Sequence, residues 1–468
     1  MKIVGKAVSF IAVGTLAAGA LAGCAASSPT SAASQTEGKV SVSAQETNKP
    51  VADKNDEPVH ITFWHSMGGA GGESIQKLTD AFNASQNNVA VEVQYQGTYD
   101  EAINKLKNSA LGDAGPDVMQ LYDIGTRWMI DSGYAYRMQD FIDGEGYDAS
   151  QLEQNILAYY TIDDQLYSMP FNSSTPLLYY NKDAFKEAGL DPEKAPVNFD
   201  ELIETSKKLV KKEGDKVTRY GANIQIYGWF FEQFLVKSEL EYANNGNGRE
   251  DGATAVSFDT NGGALSIMNK WKEAVESGAL INLGRDSDVN QEAFIAGNSC
   301  MTLASTASLA GIKNKINGKF ELGTAYLPSI RQEDKGGVSI GGGSLWIMDK
   351  KDDAKAKAAW EYVKYMVSPQ VQVEWAKATG YFPITTEAYK LADMTAHLEA
   401  QPQFKTAINQ LHDSTGSKGA LLAVFPEARS TIEENLEKLL NNEISAEAAV
   451  AKSAETINKA IEKYNKTK

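Results

Sequence analysis

Cysteine is almost absent from this chain of 468 residues, which holds only Cys24 and Cys300. Histidine is nearly as scarce: His60, His65, His397 and His412 are the full set, and no Cys/His group has a metal-ligand spacing. No metal site or cofactor is expected. There is no Gly-x-Ser-x-Gly elbow of the kind that raises a nucleophilic serine. The glycine run Gly68-Gly69-Ala70-Gly71-Gly72 is followed by Glu73 and not by Gly-Lys-Ser/Thr, which rejects a nucleotide-binding phosphate loop. Positive charge is also in deficit, with 45 Lys and Arg against 61 Asp and Glu and a formal net charge of −16. Nucleic acid is therefore a poor partner, and an anionic ligand would need a local cation.

Apolar content is ordinary at 42%, and the length suffices for two or more domains with their own cores. The N-terminus reads as an address. Lys2 and Lys6 precede an apolar run, Ala7 to Ala22, that is short for a membrane span. The run ends in Leu21-Ala22-Gly23-Cys24, which resembles a bacterial lipobox. This implies a signal peptide over 1–23 and lipidation of Cys24, with an ordinary signal peptide or a short membrane helix as alternatives. Residues 24–57 carry almost no large apolar side chain and read as a flexible tether with a reach on the order of 30 Å. Cys300, next to Met301, reads as a buried structural thiol.

Along the chain, Ile61, Phe63 and Trp64 in 60–65 suggest a strand. The glycine run then leads as a loop, a candidate cleft lining, into a helix over 73–83. A strand over 89–95, a helix from Gly97 to Leu111 and a strand over 118–122 follow. This alternation predicts an α/β sheet with crossover connections, where ligands sit beyond strand C-termini. Tyr99 and Asp123 fall just beyond such ends. After Leu190 the pattern becomes mainly helical, with helices over 199–210, 264–276, 354–366, 371–378, 431–440 and 446–464. Residues 244–253 read as an exposed loop. The triplet Gly341–Gly343 precedes an apolar strand.

The organising stretch runs from Pro170 to Leu190. Asn172, Ser173, Ser174 and Thr175 stand between two prolines. An apolar run, Leu177 to Tyr180, follows, and Asn181 caps a short helix closed by Gly189. With Phe-Trp-His-Ser at 63–66, Pro-Phe-Asn-Ser-Ser-Thr-Pro at 170–176, Ser-Leu-Trp at 344–346 and Thr-Gly-Tyr-Phe-Pro at 379–383, the chain from about Val59 onward resembles the family 1 extracellular solute-binding proteins of ABC importers. Within that family it most resembles the binders of glycerol-3-phosphate. The resemblance implies a two-lobe, periplasmic-binding-protein-like (type II) α/β fold with an interdomain cleft. Residues 58–171 with 336–384 would form one lobe, and 172–335 with 385–468 the other. It implies a monomer, no enzyme activity, and delivery of a small phosphoglycerol or carbohydrate ligand to a transmembrane permease. The membrane would be met only through the lipid anchor, on the outer face of a bacterial cell.

The resemblance also implies site residues. Arg429, in Phe-Pro-Glu-Ala-Arg, matches the ligand-binding arginine, with an exposed arginine or an interdomain salt bridge as the plain alternative. Ser174, Ser305 and Tyr381 match hydroxyl donors, against turn residues and a core aromatic. Gly342 matches a glycine whose backbone approaches the ligand. Tyr99 matches a tyrosine, and Asp123 falls where the family has a glutamate. Trp229 matches the later of two tryptophans, while Ile226 or Tyr227 stands at the earlier one. That departure would open the pocket to a glycerophosphodiester, with Tyr227 and Trp229 as faces for a quaternary ammonium, or else the cluster is core packing. Trp64 could stack on a sugar or pack in the core. Neutral oligosaccharide binding and a secreted hydrolase remain the other classes.

Overall fold

Alternation of apolar side chains decides the first sheet. Strand β1 (Val59–His65) buries Ile61 and Phe63. Helix α1 (Gly69–Ser85) buries Ile75, Leu78 and Phe82, and strand β2 (Val89–Tyr95) lies parallel to β1. Helix α2 (Tyr99–Ser109) then leads to β3 (Val118–Tyr122), parallel to β1 on its other side. The computed structural model describes residues 57–109, 114–414 and 418–468. The expected signal peptide, Cys24 and nearly all of the tether lie outside these residues, as does Leu111.

The glycine run is not a loop. Gly69 opens α1, and the first turn closes with the Gly72 N–H donating to the Gly68 carbonyl at 3.2 Å. Glycine costs a helix about 1 kcal/mol per residue. Burial of the apolar stripe, about 1.5–3 kcal/mol per large side chain, outweighs that cost.

Two strands separated by one residue carry the chain between sheets. β4 (Met169–Ser174) belongs to the first sheet and β5 (Pro176–Asn181) to the second, with Thr175 between them. Both are buried along their whole length. The Asn181 side chain caps the following helix by accepting from the Ala184 N–H at 2.9 Å.

The second sheet contains strands that periodicity did not predict. β6 (Ala222–Asn223) and β7 (Leu280–Ile281) have two residues each, too few for an alternation to register. β8 (Met301–Ser305) and β9 (Leu322–Tyr326) flank β5 antiparallel, giving the order β7-β6-β8-β5-β9. Strand β10 (Gly341–Ile347) then returns to the first sheet between β3 and β4, antiparallel to both, in the order β2-β1-β3-β10-β4. The glycine triplet is the start of this strand and not a lead-in to it. The fold is mixed α/β with two mixed sheets in two lobes.

Helices α3 (Gly228–Lys237), α4 (Pro369–Thr379), α5 (Phe425–Leu440) and α6 (Ala446–Asn465) complete the frame for the site. The segment 244–253 is anchored more firmly than an exposed loop. Asn245, Gly246 and Asn247 turn in the left-handed region, and Asn247 Oδ1 accepts from the Tyr242 and Ala243 N–H groups at 2.7 and 3.1 Å. Arg249 donates to the carbonyls of Gly419 and Tyr159 at 2.9 and 3.1 Å. Cys300 is fully buried, and burial pushes its thiol up to about 11, as a structural thiol requires.

Candidate functional site

Tyr99, Asp123, Ser174, Ser305, Gly342, Tyr381 and Arg429 all line one cavity of about 240 Å³. Tyr122, Tyr227 and Trp229 complete much of its wall. The positions follow from the topology. Asp123 follows the C-terminal end of β3, Ser174 ends β4, Ser305 ends β8, and Gly342 lies at the start of β10. Tyr99 opens α2, Tyr381 follows the Gly380 cap of α4, and Arg429 lies one turn into α5. Residues from strand ends of both sheets therefore face one space, the arrangement expected for ligand sites in α/β sheets.

The aromatic wall is held by stacking. Tyr99 stacks on Tyr122 at 5.1 Å between centroids, and Tyr381 on Trp375 at 5.6 Å. A buried amide relay orients the Tyr99 hydroxyl. Gln120 accepts from the Ser66 N–H at 2.9 Å and donates to Asn172 Oδ1 at 2.8 Å, and Asn172 Nδ2 donates to the Tyr99 hydroxyl at 2.8 Å. That hydroxyl accepts from the amide, which leaves its proton to donate into the cavity. Burial raises its pKa well above the usual tyrosine value, so it stays neutral.

The charged corner differs from a free phosphate fork. Arg429 is buried, and its Nε and Nη2 donate to the two carboxylate oxygens of Glu232, both at 2.7 Å. Asp123 Oδ2 lies 3.5 Å from Nη2. The guanidinium carbon sits 5.5 Å over the Tyr227 ring. Burial pushes the Asp123 carboxyl up to about 6; Arg429 opposes that rise and Glu232 adds to it. Arg429 thus makes ion pairs, with Glu232 on α3 and with Asp123 beyond β3, at a position that also lines the cavity.

Other residues combine structural and cavity positions. Ser305 Oγ accepts from the Ala307 N–H at 3.1 Å and so caps a short turn. Gly342 has φ +101°, and a Cβ there would stand 1.9 Å from the Asn172 carbonyl oxygen. Its lack of a side chain therefore serves contact with β4. Trp229 packs on Gly341 and keeps a buried indole N–H without a partner among the described residues. Trp64 lies in the core, donating to Gln94 at 3.0 Å, and is not part of the cavity wall. The glycine run at 68–72 is likewise absent from that wall.

A second, larger chamber of about 760 Å³ shares Tyr99, Tyr122, Tyr227 and Arg429 with this cavity. Ile226, Arg285 and Glu433 are among its further wall residues. Tyr227 lines both spaces and Ile226 only the larger one. The sequence reading did not single out Glu232, and it named Asn172 only as part of the stretch between two prolines. Glu232 had a visible signal, since it is the lone acid in the apolar run Gly-Trp-Phe-Phe-Glu-Gln-Phe-Leu-Val. Asn172 had none beyond its place in the 170–176 motif.

The profile of bacterial extracellular solute-binding proteins matches residues 77–406. The sn-glycerol-3-phosphate-binding periplasmic protein UgpB of Yersinia pseudotuberculosis is 32% identical over 417 residues, covering 87% of this chain and 94% of that protein. The protein of the same name from Escherichia coli K12 is also 32% identical, with 87% and 93% covered. Among solved structures, UgpB of Mycobacterium tuberculosis in complex with glycerophosphocholine aligns with TM-score 0.72 at 22% identity, covering 86% of this chain and 98% of that one. The sugar-binding protein MalE of Xanthomonas citri aligns with TM-score 0.71 at 19% identity, covering 87% and 98%. The chain belongs to the bacterial extracellular solute-binding proteins, a family of binding proteins of ABC importers and not of enzymes.

Proposed function

We propose that this protein captures a phosphorylated glycerol compound, sn-glycerol-3-phosphate or a glycerophosphodiester, in the cavity between its lobes. The observation that carries the reading is the convergence of Tyr99, Asp123, Ser174, Ser305, Gly342, Tyr381 and Arg429 on one cavity from both sheets. Arg429 supplies the cation for the phosphate, and the hydroxyls of Tyr99, Ser174, Ser305 and Tyr381 donate around it. Asp123, and the Trp229 indole N–H, meet the polyol. The larger chamber adjoining Tyr227 gives a larger headgroup room. The two relatives at 32% identity, whose names state glycerol-3-phosphate binding, support the ligand class.

Capture works by hinge closure. Contacts made from both lobes at once favour the closed state, which the permease then receives. The lobes divide as 58–171 with 336–384 and 172–335 with 385–468, next to the crossing at Thr175. The protein acts as a monomer, lipidated at Cys24 and tethered through 24–57 to the outer face of the bacterial membrane.

One observation favours a second reading, a neutral carbohydrate. The Arg429 fork is already engaged by Glu232, and five aromatic side chains line the cavity, a wall suited to sugar rings. Isothermal titration with glycerol-3-phosphate, glycerophosphocholine and maltose separates the two. Binding of either phosphate compound with maltose silent is the expected result. Binding of maltose alone would replace it with the carbohydrate reading.

A further inference from the structure

Glu232 controls what Arg429 can offer. A guanidinium recognises phosphate best through its paired N–H edge. Here the Nε and Nη2 edge is closed by Glu232 at 2.7 Å on both oxygens, and only Nη1 takes no part in those bonds. Asp123 Oδ2 stands 3.5 Å from Nη2, on the side already closed by Glu232. Glu433, four residues beyond Arg429, accepts from the Gly228 N–H at 2.9 Å and keeps a third carboxylate close by. Gly228 allows this packing, because a Cβ there would meet Arg429 Cγ at 2.5 Å. Three carboxylates, of Glu232, Asp123 and Glu433, thus surround this one buried cation, and a further cation, Arg285, acts on Glu433 while paired with Glu437 at 2.7 Å.

We infer that Glu232 is a specificity-determining residue that selects ligands by net charge, favouring a phosphodiester with its own cationic head over a phosphate monoester dianion. The inference rests on the phosphoglycerol reading of the site. A dianion at Nη1 meets an excess of carboxylates over cations in a region of low dielectric, where like charges repel far more than in water. A zwitterionic diester brings one negative charge to Nη1 and a cation to the carboxylates and to the faces of Tyr227 and Trp229. Glu232 thus acts as a repulsive element against the wrong ligand while it orients Arg429.

Two measurements test this on the whole chain. In the wild type, titration with glycerol-3-phosphate, glycerophosphoglycerol and glycerophosphocholine, of net charge near −2, −1 and 0, should give affinities that rise in that order. In Glu232→Gln, the preference for glycerophosphocholine over glycerol-3-phosphate should fall at least about tenfold, equivalent to about 1.4 kcal/mol. Tightest binding of the dianion by the wild type would overturn the inference whether or not the variant folds. So would an unchanged preference in a folded variant, and both results would leave the phosphoglycerol reading standing. If none of the three binds and maltose does, the phosphoglycerol reading falls and takes the inference with it.

Discussion

At the scale of single residues, the site is an electrostatic compromise. Asp123 is buried beside Arg429, yet its carboxyl is pushed up to about 6, because desolvation exceeds the pull of the cation and Glu232 adds to the push. The unfolded chain holds this proton only up to about pH 4. Between those values the folded protein binds a proton that the unfolded chain has released. The group's contribution to stability is thus full below about pH 4 and is lost as pH rises through about 6. The full effect is about 3 kcal/mol. Denaturant unfolding of wild type and Asp123→Asn from pH 4 to 7 should show the wild type losing stability relative to the variant across that window. A difference that stays constant with pH would mean that this carboxyl does not titrate there.

At the scale of elements, β10 is the most constrained. Its bulge between Gly343 and Ser344 lets the glycine triplet press against β4. Gly342→Ala should cost about 1–3 kcal/mol from the positive φ alone, and more from contact with the Asn172 carbonyl. Gly311, in the helix Leu309–Ile316, has open space at its Cβ and serves as the control. Gly311→Ala should leave stability unchanged or raise it by up to about 1 kcal/mol. Thermal melts of the two variants make the comparison, and equal melting temperatures would remove the constraint assigned to Gly342. Strands β1, β2 and β3 were legible because stretches such as Val59–His65 give a period room to show, and helices such as Gly263–Glu276 were legible for the same reason; β4 was not, since its Asn-Ser-Ser end has no apolar alternation. The two-residue strands β6 and β7 were not, since only their neighbours define them. The site was legible through motifs, which carry residue identity. Its charge state was not, because the approach of Glu232 to Arg429 depends on two helices separated by nearly two hundred residues.

At the scale of the whole molecule, the sheets draw strands from distant parts of the chain. The first sheet needs β10, which follows every strand of the second. Helices α5 and α6 come last of all and pack on each other, with α5 also against α3. A fragment ending at residue 335 would leave a gap between β3 and β4 and should show no cooperative melt. A sharp transition in that fragment would refute the dependence.

The single-residue join at Thr175 also bears on biosynthesis. The polypeptide emerges from the ribosome in an order that lets neither sheet finish before the other has begun. β3 and β4 must wait, with an open seam between them, while more than 160 further residues are made. That seam is a pair of unsatisfied strand edges, and such edges are where nascent chains misassociate. The architecture that brings strand ends of both sheets to one cavity therefore makes late-arriving β10 the step that ends the chain's exposure to aggregation.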